Sequence, residues 1–217
     1  MRITKFGHAC VRLEVVTPAG TSVVVIDPGM FTSPEALEGA DAVLVTHEHP
    51  DHYTPELLAS TDAPIFTIDA VATKVRGEAP EVAERITLVA PGEAFTAAGV
   101  AVTTVGELHA VIHPEFPRFH NSGYLLTEEG GATAFHPGDA LTAPDGIVPD
   151  VLFAPVSAPW AKASELIDFA RSVGAPHSVA IHDRIYSDAG SAIFDNQIKQ
   201  LLAEHQTYTR LADGADL

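Results

Sequence analysis

The chain has 217 residues, of which 46% are hydrophobic and 19% are charged, and this length and composition suit a single domain, residues 1–217, with one substantial core. Its formal net charge of −17 argues against DNA or RNA as a partner, because phosphate backbones are bound by Lys and Arg. A lone cysteine, Cys10, excludes an intrachain disulfide, and neither a signal peptide nor a membrane-spanning run is evident. We therefore expect a cytoplasmic protein that binds no membrane.

The first third of the chain is predicted to be mostly β-structure. Residues 2–6, 11–16 and 22–26 have the apolar and β-branched composition of strands. Two segments, 33–35 and 54–56, each place Ser or Thr, then Pro, then Glu. Each predicts a helix start, because the hydroxyl can cap the helix, Pro suits the first helical position, and the acid lies where the helix dipole favours it.

A second feature of this region is a dense group of metal-binding side chains. The apolar strand 42–46 runs directly into His47, His49, Asp51 and His52. Side chains two positions apart share a face of an extended chain, so the first two histidines can bind one ion. The proline between the pairs redirects the last two side chains. Imidazole and carboxylate groups at this spacing predict a metal site, with room for two ions.

The remaining elements are short strands, followed by helices that alternate with strands. Strands are predicted at 64–67, 86–89, 100–105, 123–127, 132–136, 151–154 and 178–181, and amphipathic helices at 164–173 and 191–205. Three of the strands end in candidate ligands: 42–46 before His47, 132–135 before His136 and Asp139, and 178–181 before His182 and Asp183. Strand ends that meet at one rim make the rigid platform that a reactive metal centre needs.

The His-x-His-x-Asp-His motif resembles the signature of the metallo-β-lactamase superfamily, in the form found in its glyoxalase-like and phosphodiesterase-like hydrolases. The order of the other features is also similar: a Gly-His-Ala opening near residue 7, Asp27-Pro28 after a strand, a mid-chain His, a Gly-Asp and a late His. Periodicity alone would not select one architecture. The resemblance implies an α+β fold, a four-layer αβ/βα sandwich with the metal site at one edge of two facing sheets.

The resemblance also implies how the ligands are shared between two divalent ions. His47, His49 and a mid-chain His would bind the first ion, while Asp51, His52 and a late His would bind the second. One further Asp would bridge both ions. Zinc is the expected metal, with manganese or iron as alternatives, because the same donors accept all three.

Three ligands have to be chosen among near neighbours in the sequence. We select the candidates that follow a strand, because ligands need rigid supports; the bridging candidate also matches the Gly-Asp of the family. The choices are Asp139 over Asp145 and Asp150, His109 over His113, and His182 over His177.

Four other residues are expected around the site. His8 is either a support or substrate contact for the centre or a structural histidine. Asp27 is expected to hold the metal loop by hydrogen bonding, as the matching Asp does in the family. His136 orients the bridging Asp or simply occupies the turn before Pro137, and His113 lies in a loop that borders the pocket.

The function implied is a binuclear metal-dependent hydrolase, in which a hydroxide bridging the ions attacks an ester, lactone or phosphodiester of a small molecule. Asp51 and Asp139 would orient that hydroxide as well as bind metal. The loop 111–121, with Phe116, Arg118 and Phe119, suits an amphiphilic or anionic ligand, but equally a packing loop or an oligomer contact.

Other functions share these features. A nuclease would use the same ligands, although the acidic balance of the chain disfavours it. An iron redox protein is a second alternative, but the chain leaves no room for an attached flavin domain. A non-catalytic metal-binding protein is a third, because folds outlive their chemistry. The apolar composition also permits a homo-oligomer.

Overall fold

Two mixed β-sheets face each other in the computed structural model, which describes residues 1–217. The first sheet has six strands in sequence order: β1 (Arg2–Lys5), β2 (Val11–Thr17), β3 (Gly20–Ile26), β4 (Ala42–Val45), β5 (Ile65–Thr67) and β6 (Ile86–Leu88). Strands β1 to β3 pair antiparallel, and β3 to β6 pair parallel.

The second sheet repeats this plan with seven strands. These are β7 (Ala94–Ala97), β8 (Val100–Val105), β9 (Gly123–Thr127), β10 (Thr133–His136), β11 (Val151–Pro155), β12 (His177–Ile181) and β13 (Thr207–Thr209). Strands β7 to β10 pair antiparallel, and β10 to β13 pair parallel. Parallel strands place their carboxyl ends at one edge, so both sheets present several strand ends together.

Helices cover the outer face of each sheet. They are α1 (Pro55–Ala59), α2 (Asp69–Glu78), α3 (Pro80–Ala83), α4 (Ala163–Val173) and α5 (Asp188–Leu201). None of them is both long and apolar enough to cross a membrane.

Three hydrophobic clusters hold the layers together. The central cluster lies between the sheets and includes Leu44 and Phe153. One outer cluster packs the first sheet against α1 to α3, through residues such as Val71, and the other packs the second sheet against α4 and α5, through residues such as Phe169 and Phe194. This arrangement is the predicted four-layer αβ/βα sandwich, which is confirmed.

Several elements differ from the sequence prediction. The predicted helix after residue 33 is a single 3₁₀ turn, Pro34–Leu37, because the chain becomes extended at Glu38 and enters β4 soon afterwards. Helix α5 begins earlier than predicted, because the Ser187 hydroxyl caps it by accepting from the Gly190 N–H, and it ends earlier, because the chain becomes extended at Leu202. Helix α2 was not predicted; Ile68 precedes it and makes no side-chain cap, so the usual start signal is missing.

Gly29 allows two loops of the rim to touch. The Met30 N–H donates to the Pro50 carbonyl at 2.9 Å, which holds the loop after β3 against the loop after β4. A Cβ added at Gly29 would lie 2.0 Å from the carbonyl oxygen of Asp51, closer than any real contact. The position of the residues around Asp51 therefore depends on the absence of a side chain at Gly29.

We predict that Gly29→Ala lowers the free energy of unfolding by more than about 2 kcal/mol, because the new methyl group would collide with backbone. The matched control is Gly77→Ala, where the added Cβ meets nothing within 4 Å on α2. This control should stabilise the protein by roughly 0.5–1 kcal/mol, because Ala is the better helix former. Urea unfolding measures both; equal stability of the two variants would contradict the prediction.

Candidate metal centre

Strand ends from both sheets supply the candidate ligands. His47 follows β4, Asp139 follows β10, and His182 follows β12. His109 lies in the segment after β8, and its backbone N–H donates to the Phe119 carbonyl at 3.0 Å. These four side chains are buried, so their positions are set by packing against both sheets.

The structure gathers the first group of side chains around His47. Ligand atoms of His47, His49, His109 and Asp139 all lie within 4.8 Å of one another. The Nε2 atom of His47 is 3.0 Å from Nδ1 of His49, and Nε2 of His109 is 3.3 Å from Oδ2 of Asp139. Three imidazoles and one carboxylate therefore face a common point.

A second group lies on the other side of Asp139. It contains Asp51, His52 and His182, with His8 close by. The Nε2 atom of His182 is 3.4 Å from Oδ2 of Asp51 and 3.1 Å from Oδ2 of Asp139, while Nε2 of His52 is 3.1 Å from Oδ1 of Asp139. Asp139 thus lies between the two groups and within reach of both.

Hydrogen bonds orient the imidazole rings. Nδ1 of His52 lies 2.7 Å from Asp27 Oδ2, and Nδ1 of His109 lies 2.6 Å from the Ala110 carbonyl oxygen. Nδ1 of His182 contacts the Ser157 carbonyl. An acceptor at Nδ1 places the proton there and leaves the Nε2 lone pair pointing inward.

The inward-facing atoms lack partners of their own. The Nε2 atoms of His52, His109 and His182 and the Oδ1 atom of Asp139 are buried without a hydrogen bond. Buried polar atoms are normally paired, and nitrogen and carboxylate donors with free lone pairs are what zinc and similar ions bind. The residues present therefore fit two divalent ions, and both groups are candidate metal-binding clusters.

His8 has the opposite arrangement and does not offer a lone pair to an ion. Its Nδ1 accepts the backbone N–H of Arg184 at 3.2 Å, so its proton is on Nε2, which lies 3.1 Å from Oδ2 of Asp51. Burial lowers the pKa of His8 to about 4, which keeps the ring neutral. His8 therefore donates to Asp51, and the structure places it as a support of the site.

Asp27 and His136 also support the loops. Asp27 Oδ1 accepts the Thr46 N–H at 2.8 Å, while its Oδ2 faces both the Thr46 hydroxyl and Nδ1 of His52. His136 Nδ1 accepts the Gly138 N–H at 3.1 Å, and its Nε2 donates to the Ala9 carbonyl at 2.9 Å. His136 thus braces the turn before Asp139 and makes no hydrogen bond to that carboxylate.

Two contacts to Asp139 were not predicted. Trp160 Nε1 donates to Asp139 Oδ2 at 2.9 Å, and the Asn121 side-chain oxygen accepts the Asp139 N–H at 2.9 Å. From the sequence, Trp160 is compatible with the pocket or the core, and no local pattern links either residue to Asp139. Both contacts arise only from the packing of the second sheet.

Four other histidines lie outside both groups. His113, His120, His177 and His205 are exposed. His113 accepts the Glu115 N–H in its loop, and His177 contacts the Thr207 hydroxyl at the far end of β12. Of the neighbouring candidates, the structure therefore places His109 and His182 at the centre, and His113 and His177 outside it.

Burial and neighbouring charges shift the pKa values of the side chains in the site. Burial would raise the pKa of Asp51, but the adjacent His182 ring and the His8 ring hold it well below its usual range. Burial would lower the pKa of His182, but the Asp139 carboxylate outweighs it and raises the pKa to about 9. Burial lowers the pKa of His49 to about 4, so this ring is neutral at pH 7. Without metal, a proton on His182 is held where an ion would bind.

We predict that zinc uptake at pH 7 releases protons, because an ion needs the neutral form of His182. The raised pKa means that this proton is bound below about pH 9 and competes with the ion there. The affinity for zinc should therefore rise with pH and level off above that value. Calorimetry in buffers of different ionisation enthalpy measures the released protons; a heat independent of buffer would contradict the prediction.

We also predict that zinc changes the emission of Trp160, the only tryptophan, because its indole N–H donates to Asp139. The change should saturate with metal loading and disappear in Asp139→Ala. Fluorescence titration of the metal-free protein measures it, with Trp160→Phe as the blank. Zinc that binds without altering the emission would place the ion away from Asp139.

Comparisons with known proteins agree with this geometry. A family model described as a beta-lactamase superfamily domain matches residues 2–182. Protein Rv0786c of Mycobacterium tuberculosis is 35% identical over 206 residues, which cover 93% of this chain and 92% of that protein. A UPF0173 metal-dependent hydrolase of Methanospirillum hungatei is 29% identical over 203 residues, which cover 87% of each protein.

Solved structures share the fold. Igni18, a metallo hydrolase from Ignicoccus hospitalis, superposes with a TM-score of 0.74 at 18% identity and covers 100% of this chain and 97% of its own. The metallo-beta-lactamase fold protein YhfI from Bacillus subtilis gives a TM-score of 0.73 at 16% identity, covering 100% and 98%. The family match over most of the chain and the shared fold lead to one conclusion: the chain belongs to the metallo-β-lactamase superfamily, as its His-x-His-x-Asp-His motif predicts.

Proposed function

We propose that this protein is a binuclear metal-dependent hydrolase that cleaves an ester, lactone or phosphodiester of a small molecule. The observation that carries the proposal is the convergence of five imidazoles with the carboxylates of Asp51 and Asp139, where three imidazole Nε2 atoms and Asp139 Oδ1 are buried without a hydrogen bond. Membership of the superfamily and the metal-dependent hydrolases among the relatives support this class of enzyme.

The two groups would supply ligands to two ions. His47, His49 and His109 would hold the first ion, and Asp51, His52 and His182 the second, with Asp139 shared between them. When bound, the two ions supply Lewis acidity and lower the pKa of water, so that hydroxide is available near neutral pH. Zinc suits a site this rich in imidazole, and manganese or iron would fit the same donors.

The protein's own contribution is to fix the two carboxylates. His8 donates to Oδ2 of Asp51 at 3.1 Å, and Trp160 donates to Oδ2 of Asp139 at 2.9 Å. Each neutral donor uses one lone pair of a carboxylate and directs the remaining ones toward the centre. The carboxylates can then orient an attacking water while keeping their place as ligands.

Rigid support limits the motion of the imidazoles during turnover. Asp27, which lies beside β4 at the base of the metal loop, is wholly buried and holds both Thr46 and His52. A catalytic group displaced by 1 Å loses much of its effect, so this support contributes directly to rate.

The alternatives receive less support from the structure. A nuclease needs several free cations along its surface. Near the site, Arg184 pairs with Asp213 and Lys5 pairs with Asp183 at 2.9 Å, which leaves Arg118 and Lys74. A non-catalytic role would not require the complete set of ligands, oriented by hydrogen bonds, that surrounds Asp139.

We predict two bound ions per chain and the loss of at least one in Asp139→Ala, because this carboxylate lies within reach of both groups. Metal-dependent turnover should fall by at least about 100-fold. Elemental analysis of reloaded protein measures the ions, and p-nitrophenyl esters, lactones and bis(p-nitrophenyl) phosphate report activity. A variant that keeps two ions and full activity would overturn the proposal.

The chain provides matched controls for this experiment. His182→Ala and His177→Ala alter the two ends of the same strand, and only the first removes a side chain of the centre. His182→Ala should lower the metal content and turnover, whereas His177→Ala should leave both as in the parent protein. Equal loss in both variants would point to a general effect on folding.

A further inference from the structure

Large apolar side chains are exposed around the candidate metal centre. Met30 is 58% exposed and Phe116 is 63% exposed, and the loops that carry them border the two clusters. Phe31, Val111 and Ile185 are also exposed. Exposed apolar groups concentrated at the mouth of a site mark a binding surface more often than isolated ones do.

One part of this surface lies beside the cluster of Asp51. The Phe31 ring lies 5.0 Å from the ring of His8, which donates to Asp51. Ile185 follows Arg184, whose N–H binds the same histidine. The apolar side chains of these two loops therefore adjoin the centre directly.

The other part lies beside the cluster of His49. The Phe119 ring is 4.7 Å from the ring of His49. Phe119 also lines an open cavity of about 380 Å³ that is formed by the loop 110–119, with Val111, Ile112 and Phe116 among its other walls. Its volume falls in the range of small-molecule pockets, and its walls are mostly apolar.

Few cations are available on the surface around the candidate centre, which is formed by the loops that carry Phe31, Phe116 and Ile185. Bound ions would attract phosphoryl and acyl oxygens alike, so selection between them depends on the groups around the ions. Arg184 and Lys5 are paired with carboxylates. Arg118 uses its Nε to bind the His109 carbonyl at 2.7 Å and is the only Arg or Lys in the loop 110–119. Lys74 lies beside the metal loop and donates to the backbone carbonyl of Glu48 at 2.9 Å. Few side chains could therefore neutralise an anionic group on the substrate, and the chain as a whole has a net charge of −17.

We propose that the substrate is an uncharged carboxylic ester or lactone with an apolar acyl or alkyl group, which lies against Phe119 and enters the cavity of the loop 110–119. This inference rests on the proposed hydrolase function and narrows its substrate class. Hydrolysis breaks the acyl C–O bond and forms a new C–O bond to the oxygen of water. One proton of the water passes to the leaving alcohol oxygen, and the other is released with formation of the carboxylate.

The experiment uses the metal-loaded protein and p-nitrophenyl acetate, butyrate, hexanoate and octanoate, with bis(p-nitrophenyl) phosphate as the phosphodiester. Hydrolysis by Asp139→Ala is subtracted as background. We expect kcat/KM to rise by roughly twofold to fourfold per methylene, as expected for partial to full burial of each group. The phosphodiester should be a poorer substrate than the octanoate ester.

Phe116→Ala tests the cavity. The ratio of kcat/KM for octanoate to that for acetate should fall at least fivefold in this variant, because Phe116 lines the cavity that would hold the longer chain. Ile193→Ala, which removes an equally exposed apolar side chain from α5, should keep the parent ratio. Binding of octanamide, which resists hydrolysis, gives a second readout by ligand-observed NMR and should weaken only in Phe116→Ala.

The outcomes separate the two proposals. A flat chain-length profile, or a phosphodiester cleaved better than every ester, would overturn the inference and leave the hydrolase intact. Two bound ions with no turnover of any of these substrates would also overturn it. Failure to bind metal, or equal activity in Asp139→Ala, would instead overturn the proposed function itself.

Discussion

The buried carboxylate of Asp139 is the constraint on which the site depends. A charge buried between two sheets has to be compensated, and four imidazole nitrogens lie within 3.8 Å of its oxygens. The turn that carries it is fixed from several directions: Asn121 accepts its backbone N–H, Trp160 donates to its side chain, and His136 braces the preceding residues. Strand ends from both sheets are therefore arranged around one charged group, and this arrangement joins the two candidate clusters into a single centre.

The ring orientations show how the same residue type serves two purposes. His52 and His109 have acceptors at Nδ1, so their Nε2 lone pairs face the centre. His8 has a backbone donor at Nδ1, so its Nε2 carries a proton and binds Asp51. The difference comes from whether each Nδ1 meets a hydrogen-bond acceptor or a donor, and proximity to the centre alone would not distinguish a candidate ligand from a support. His182 belongs with the candidate ligands, because a carbonyl group faces its Nδ1.

Sequence patterns anticipated the parts of this protein that depend on local spacing. The residues of the His-x-His-x-Asp-His motif lie together because a strand, a turn and a proline fix their directions within six positions. Strand ends also indicated His109, Asp139 and His182. The contacts of Trp160 and Asn121 could not be predicted, since they depend on which strands of the second sheet become neighbours. Helix α2 was missed for a related reason: tertiary packing of Val71 and Val75 stabilises it without a capping residue.

Strands hold the candidate ligands of this enzyme, whereas loops carry the exposed apolar side chains that would contact its substrate. The candidate ligands lie at or close to strand ends, where both sheets restrain them, whereas the apolar mouth is built from the loops around Phe31, Phe116 and Ile185. Loops tolerate change better than sheets do. Substitutions in these loops can therefore alter the part of the substrate that is recognised while the candidate metal ligands keep their geometry. This separation is a physical reason why one metal centre on one fold can serve different substrates, and why the ligands define the reaction more firmly than they define what is cleaved.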